Sequence, residues 1–148
     1  MKKTVEKHTR ILLVDDDPNV QRMVGLFLNR EKMDVECVGN GRIALHKLTT
    51  ESFDIILSDI QMPQMDGITL MKEIKTRKFN IPVVVLSGFG LENMAMEAME
   101  LGAYEVLQKP FDSSCLIDAI RRTLKEHLER TRELVLKSHS RKTKTKRK

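Results

Sequence analysis

Four short apolar runs of the sequence each end in residues capable of polar chemistry. These ends carry three consecutive acids, a further acid, a hydroxyl and an amine: Asp15-Asp16-Asp17, Asp59, Ser87 and Lys109. Neighbouring carboxylates repel one another, and burying them without a counter-charge is costly. A divalent cation removes that cost, and Mg²⁺ favours one or two carboxylates together with phosphate oxygens. These residue types therefore indicate a Mg²⁺ (or Mn²⁺) site that handles a phosphoryl group.

One of these carboxylates could attack phosphorus as a nucleophile and form an aspartyl phosphate. The metal ion would neutralise charge on the transferred group, while the ammonium and the hydroxyl would bind its remaining oxygens. Each residue alone has an ordinary explanation, because consecutive acids can cap a helix and a lysine is usually solvated. Their joint occurrence at four separate run ends argues against coincidence.

The apolar runs are predicted to be strands separated by helices. Five runs stand out: Ile11–Val14, Val35–Val38, Ile55–Leu57, Val83–Leu86 and Tyr104–Leu107. Three of them are continuous and rich in Ile, Val and Leu, which is typical of strands covered on both faces. Helical spacing of apolar residues fills the intervals. Asp17-Pro18 reads as an N-cap followed by the first helical residue, and Gly102 closes the fourth helix.

The repeated strand–helix order predicts the class of fold. Five βα units in succession imply right-handed crossovers and an open, doubly wound parallel sheet with helices on both faces. Ligands bind such α/β sheets at the carboxyl ends of the strands. We therefore expect Asp15, Asp16, Asp59, Ser87 and Lys109 to meet at one edge of the sheet.

Four segments, LLVDDDP, SDIQMPQMDG, VVVLSG and LQKPF, resemble the receiver domain of two-component response regulators in their order and spacing. The resemblance covers roughly residues 10–128. It implies a flavodoxin-like (βα)5 fold with strand order 2-1-3-4-5, as in the chemotaxis regulators. It further implies a signalling phosphoacceptor supplied by a histidine kinase or a phosphotransfer protein. Such a domain catalyses only its own phosphorylation and dephosphorylation, so we do not expect a metabolic enzyme.

The resemblance also assigns roles to the acids. Asp59 is implied to be the phosphoacceptor. Asp15 and Asp16 are implied to hold the metal ion together with Asp59, and the backbone carbonyl of Gln61 is implied to be a further ligand. Asp17 is left to cap the first helix.

Two residues at the later strand ends are implied to sense the phosphoryl group. Ser87 would be the switch hydroxyl, and Lys109 would pair with the phosphoryl oxygens. Lys109-Pro110 is implied to be a cis peptide, which a following proline makes accessible. Phosphorylation would then rearrange the surface formed by the fourth helix, fifth strand and fifth helix. This surface would bind an unknown downstream protein and is also a candidate for dimerisation.

Several positions bear on how the switch works. Receivers usually carry Tyr or Phe where this chain has Val106, and Tyr104 lies two residues earlier. The switch could therefore act through Ser87 and backbone shifts, or it could be weak. Gln61, Gly88 and Phe89 occupy positions that tune the access of water to the phosphoryl group. Phe89 could shield the site, which we favour, or it could pack on its own loop.

Charge divides the chain into a body and two basic ends. Residues 138–148, SHSRKTKTKRK, contain six Lys or Arg and no acid, in a chain of formal net charge +5. We expect a basic N-terminal arm over 1–9, a receiver domain over 10–128, and a helical extension with a disordered basic tail over 129–148. The extension could be a connector or a dimer-forming helix. The tail could bind nucleic acid weakly through phosphate groups.

Composition excludes several classes of protein. The sequence has no run of 18 apolar residues and no secretory signal, so we expect neither membrane insertion nor export. Cys37 and Cys115 fall in apolar patterns, which predicts reduced core thiols in a cytoplasmic protein. The four histidines are predicted to lie at the surface.

Two rival functions stay open. A receiver-like interaction module that is no longer phosphorylated would be consistent with Val106. A haloacid-dehalogenase-type phosphatase would use the Asp15-Asp16-Asp17 segment, but it leaves Asp59 unexplained and has Asn19 where Thr or Val is expected. The roughly 20 residues after position 128 are too few for an output domain. The chain could therefore be a stand-alone receiver or the first part of a longer protein.

Overall fold

The computed structural model describes residues 8–145, and the side chains of residues 8–141. Within these residues, strands and helices alternate as the sequence predicts. The elements are β1 (Arg10–Val14), α1 (Pro18–Arg30), β2 (Asp34–Val38), α2 (Gly41–Thr50), β3 (Ile55–Asp59), α3 (Gly67–Thr76), β4 (Val83–Ser87), α4 (Glu92–Glu100), β5 (Glu105–Gln108) and α5 (Ser113–Thr145).

The described strands form one parallel sheet in the order β2-β1-β3-β4-β5. This order confirms the predicted flavodoxin-like fold. The register aligns the strand ends, because Val14 pairs with Ser58, and Ser87 pairs with Gln108. Residues that follow these strands therefore leave the sheet at the same edge.

Two apolar clusters hold the helices against the sheet. Alternate β1 side chains enter opposite clusters: Ile11 and Leu13 pack with α1 and α5, whereas Leu12 and Val14 pack with α2, α3 and α4. All four side chains are fully buried. Full burial of such a side chain contributes about 1.5–3 kcal/mol, which explains why the interior strands are continuously apolar.

Side-chain caps fix where the helices begin. The Asp17 carboxylate accepts a hydrogen bond from the Asn19 backbone N–H at 2.8 Å, and Pro18 opens α1, as predicted. Asp112 accepts from the Cys115 backbone N–H at 2.8 Å at the start of α5. Gly102 follows α4 with φ at 108°, a left-handed conformation that favours glycine.

The predicted burial of three side chains is wrong. Cys37 and Cys115 are exposed, because Cys37 lies on the edge strand β2 and Cys115 faces outward from the first turn of α5. His127 is half-buried, because α5 carries its ring against Tyr104, the residue before β5.

Helix α5 continues through Thr145, into the segment for which we expected disorder. Lys and Arg have high helix propensity, and their charge is favourable near a helix C-terminus. The rest of the predicted tail, residues 146–148, lies outside the described residues, as do residues 1–7 of the predicted arm. No helix in the described part of the chain is long and apolar enough to cross a bilayer.

Candidate functional site

Three carboxylates meet at the carboxyl edge of the sheet, as the strand-end argument predicts. Asp15, Asp16 and Asp59 each offer an oxygen, and these oxygens lie within 4.8 Å of one another. Asp15 is fully buried and Asp59 is 8% exposed, whereas Asp16 faces solvent. Hard oxygen donors at this spacing suit Mg²⁺ or Mn²⁺, so the residues fit the predicted ion.

Lys109 neutralises part of this charge. The Lys109 ammonium lies 2.9 Å from Asp15 Oδ2 and 3.2 Å from Asp59 Oδ2. The Lys109-Pro110 peptide bond is cis. The backbone N–H of Lys109 donates to the Ser87 carbonyl at 2.7 Å, so the ends of β4 and β5 are joined beside the acids.

Burial and the shared charge shift the pKa values of this cluster. Burial raises the pKa of Asp59 above its ordinary value; Asp15 adds to the rise, while Lys109 opposes it. Burial alone would lower the pKa of Lys109. The hydrogen bonds and negative charges of Asp15 and Asp59 outweigh that effect and raise the pKa of the lysine. The Lys109 ammonium thus stays charged, whereas desolvation disfavours the charged form of the Asp59 carboxyl group.

The loop between β3 and α3 folds tightly over Asp59. A side chain at position 67 would place its Cβ 2.3 Å from the Asp59 carbonyl oxygen, so only glycine fits there. The Gly67 N–H donates to the Ile60 carbonyl, and Asp66 caps α3. The Gln61 backbone also lies near the Asp59 carboxylate and slightly opposes the rise in the pKa of Asp59. The loop borders an open cavity of about 470 Å³ lined by Asp16, Gln61, Met62, Pro63, Asp66 and Met94.

The predicted switch residue at the end of β4 and the predicted tuning residue Phe89 in the β4–α4 loop lie in different environments. Ser87 is buried, and its hydroxyl lies 3.3 Å from the Gly88 carbonyl rather than against the acids. Phe89 is 94% exposed, so it neither shields the site nor packs on its loop in this structure. The loop turns at Gly90, whose φ of 82° favours glycine, and the phenyl ring extends into solvent.

Val106 in β5 and Tyr104, the residue before β5, have different surroundings. Val106 is half-buried and packs on the cluster beneath α2, α3 and α4. Tyr104 lies at the other end of the strand, where its hydroxyl is 2.7 Å from His127 Nδ1. The Arg130 guanidinium lies 4.5 Å from the centre of the Tyr104 ring. Tyr104 is therefore held by α5, away from the acids.

Sequence reasoning missed the residues that orient the acids. The Gln21 side-chain amide donates to the Asp15 carbonyl at 2.7 Å, and the Asp17 N–H donates to Asp15 Oδ1 at 2.9 Å. The bond from the Asp17 N–H to the Asp15 side chain is an Asx turn, which consecutive acids make easy to anticipate. The Gln21 contact had no comparable signal, because a polar residue on the first turns of a helix is ordinary.

The strand order and the residues at the carboxyl edge are those expected of the receiver class of flavodoxin-like domains. A family model described as the response regulator receiver domain matches residues 11–121. The chain belongs to this family. Receiver domains generally bind Mg²⁺ at an acidic pocket, and they interact with histidine kinases or phosphotransfer proteins.

Curated relatives and solved structures are similar over most of the chain. Regulatory protein AtoC of Escherichia coli is 37% identical over 78% of this chain, which spans 25% of AtoC. Chemotaxis protein CheY of Bacillus subtilis is 35% identical over 78% of this chain and 97% of its own length. A response regulator structure from Chloroflexus aurantiacus has a TM-score of 0.76 at 28% identity, covering 80% and 99% of the two chains.

Proposed function

We propose that this receiver domain is a metal-dependent phosphoacceptor whose acceptor residue is Asp59. The supporting observation is the placement of a buried Asp59 beside two further carboxylates and the Lys109 ammonium. An Asp59 carboxylate oxygen would attack the phosphorus of a phosphohistidine. The N–P bond would break, and the imidazole of the donor would leave.

The residues around Asp59 would bind the metal ion and the transferred phosphoryl group. Asp15, Asp16 and Asp59 would hold Mg²⁺, with the Gln61 carbonyl as a further ligand. The bound ion would neutralise negative charge on the transferred group. Lys109 already contacts Asp59 and would bind a phosphoryl oxygen after transfer.

Switching in this chain would proceed without an aromatic rotamer at position 106. The Ser87 hydroxyl, whose 3.3 Å contact with Gly88 is long for an O–H donor, would turn toward the phosphoryl group. The short backbone bond from Lys109 to the Ser87 carbonyl would carry that shift into β5. Changing a 1:99 population into 99:1 would require about 5.5 kcal/mol of differential stabilisation.

The surface of α4, β5 and α5 would be the output surface. Met96 and Met99 are exposed on α4. The projecting part of α5 exposes Leu128 and Val135, which are seven residues apart and so lie on one helix face. We propose that these surfaces bind a downstream protein or a second copy. Sedimentation with and without a phosphoryl mimic tests the dimer, and an unchanged monomer at high concentration would contradict it.

Intact-mass spectrometry after incubation with Mg²⁺ and acetyl phosphate tests the proposal. We expect the wild type to gain one phosphoryl group and Asp59→Asn to gain none. Asp34→Asn is the matched control, because Asp34 is an exposed acid on β2, and it should be phosphorylated like the wild type. Phosphorylation of Asp59→Asn would refute the assignment.

The rival functions predict other results. An interaction module would bind Mg²⁺ but accept no phosphoryl group, either from acetyl phosphate or from a phosphorylated phosphotransfer protein. The half-buried Val106 is the observation that favours this second candidate. Turnover of a generic phosphomonoester would favour a phosphatase instead.

A further inference from the structure

The backbone on both sides of Asp16 is held in place, although the Asp16 side chain is exposed. In the peptide unit before Asp16, the Asp15 carbonyl accepts a hydrogen bond from Gln21 Nε2 at 2.7 Å. In the unit after it, the Asp17 N–H donates to Asp15 Oδ1 at 2.9 Å. A peptide unit is planar, so the two bonds together fix the direction in which the Asp16 side chain leaves the backbone.

Asp15 and Asp16 differ in how much they depend on these bonds. Asp15 is fully buried, its N–H donates to the Val38 carbonyl at 3.0 Å, and its Oδ2 contacts the Lys109 ammonium. Within the described residues, the Asp16 carboxylate makes no hydrogen bond or ion pair. Without such a contact, the direction of its Cα–Cβ bond, which the backbone sets, decides how readily the carboxylate reaches the other acids.

We propose that Gln21 is a positioning residue for the metal site. Its amide holds the Asp15–Asp16 peptide unit and so aims the exposed Asp16 carboxylate at the cluster. This inference rests on the proposed function, because it requires the three acids to bind Mg²⁺. The ion demands nearly ideal octahedral geometry. A ligand that is free to turn away must be reoriented on binding, which weakens affinity.

The choice of an amide at position 21 agrees with this role. A neutral donor holds the Asp15 carbonyl without adding charge near the three carboxylates, so it orients them without competing with a cation. Residues that orient metal ligands typically change metal affinity about 10–100-fold when they are replaced. A residue that merely stabilised α1 would change the unfolding midpoint and leave the affinity of the folded protein unaltered.

Titration calorimetry of the full chain with MgCl₂ tests the proposal. Gln21→Met keeps the length of the side chain and removes the donor, and Gln21→Glu replaces the donor with an acceptor. Asn29→Leu is the control, because it removes an exposed amide from the far end of α1. We expect Gln21→Met to raise the Kd for Mg²⁺ about 10-fold, Gln21→Glu to raise it as well, and Asn29→Leu to change it less than twofold.

Hydrogen exchange in the metal-free protein provides a second readout. The amide of Asp17 should exchange faster in Gln21→Met than in the wild type, while amides of β4 should be unchanged. If the wild type binds Mg²⁺ and both Gln21 variants bind it within twofold of the wild type, the proposal is wrong and the proposed function stands. If the wild type binds no Mg²⁺, both fail. A variant that does not fold leaves the other to decide the question.

Discussion

Charged residues form a cluster near each end of the parallel strands, and the two clusters differ in their balance of positive and negative charge. At the carboxyl edge, the carboxylates of Asp15, Asp16 and Asp59 lie together, and the Lys109 ammonium contacts those of Asp15 and Asp59. On the side of the sheet where β1 begins, Arg10 lies 3.2 Å from Glu51 and 3.8 Å from Glu36, and Lys47 pairs with the same two acids. The first cluster has excess negative charge, whereas the second is balanced. The unbalanced cluster is the one that can still gain from a cation.

The difference appears in opposite pKa shifts. Hydrogen bonds from Arg10 and Lys47 lower the pKa of Glu51 below its ordinary value of 4.5, so its contribution to stability is lost as pH falls through the lowered pKa. Burial raises the pKa of Asp59 above 3.8. The folded state then holds the Asp59 proton more tightly than the unfolded chain. The contribution of Asp59 to the free energy of unfolding therefore declines as pH rises from about 3.8 through its raised pKa.

The largest effect should follow from removing the Lys109 ammonium from the carboxyl edge. Lys109→Met leaves Asp15 and Asp59 facing each other without a counter-charge. Breaking a buried pair typically costs about 3–5 kcal/mol. Because Lys109 is 25% exposed, we expect a loss of about 2–3 kcal/mol. Urea unfolding at pH 7 in EDTA measures it.

Lys75→Met is the control for this variant, since Lys75 is an exposed lysine on α3. It should change the free energy of unfolding by less than about 0.5 kcal/mol. Equal effects of the two substitutions would show that the acids do not depend on the lysine. The contrast between the two edges would then lose its basis.

A smaller effect of opposite sign is expected at Asp59. Asp59→Asn removes a desolvated negative charge and should raise the free energy of unfolding by about 1–2 kcal/mol at pH 7. The gain should vanish below about pH 3.8, where Asp59 is protonated in both states. Saturating Mg²⁺ should also reduce it, because the wild type binds the ion more tightly. Urea unfolding across pH checks each point, and a destabilised Asp59→Asn would contradict the argument.

The sheet and the assembly of its acids could be predicted because each depends on local patterns. The interior strands β1, β3 and β4 are buried on both faces, so their apolar runs are continuous and easy to recognise. The structure extends β3 to Asp59, two residues beyond its apolar run, because this polar end still pairs with β4. The strand-end rule then brings Asp15, Asp59 and Lys109 together without further information.

Burial outside the interior strands could not be predicted in the same way. Cys37 lies on an edge strand, where apolar neighbours do not guarantee cover. Phe89 is apolar, but its loop leaves it in solvent. Gln21 and His127 act through partners that no periodicity reveals, since Tyr104 is 23 residues from His127. Side-chain pairing between elements depends on how they pack, and residue type gives only a weak indication of it.

The hydrogen bond between Tyr104 and His127 lies on the same side of the sheet as the Arg10 and Lys47 ion pairs, but it joins two uncharged side chains. Tyr104→Phe removes the hydroxyl that lies 2.7 Å from His127 and should cost about 1 kcal/mol. In a His127→Ala background the same substitution should have little further effect, because the partner is already absent. Urea unfolding of the four proteins at pH 7.5 measures this coupling, and additive losses would show that the contact contributes nothing.

The smallest effect is expected at the balanced cluster. Glu51→Gln removes one acid that contacts both Arg10 and Lys47, but Glu36 remains to pair with each cation. Ion pairs that solvent reaches, as it does these half-buried side chains, contribute little and are screened by salt. We expect the thermal midpoint to fall by no more than about 2 °C in low salt.

Salt and pH distinguish this small effect from a packing defect. The midpoint difference between Glu51→Gln and the wild type should disappear in 1 M NaCl, where the Debye length is about 3 Å. It should also disappear as pH falls through the lowered pKa of Glu51, because both states are then protonated. A difference that persists under both conditions would mean that Glu51 supports the structure by packing. The Arg10 and Lys47 pairs could not then be described as a charge-balanced counterpart of the acidic edge.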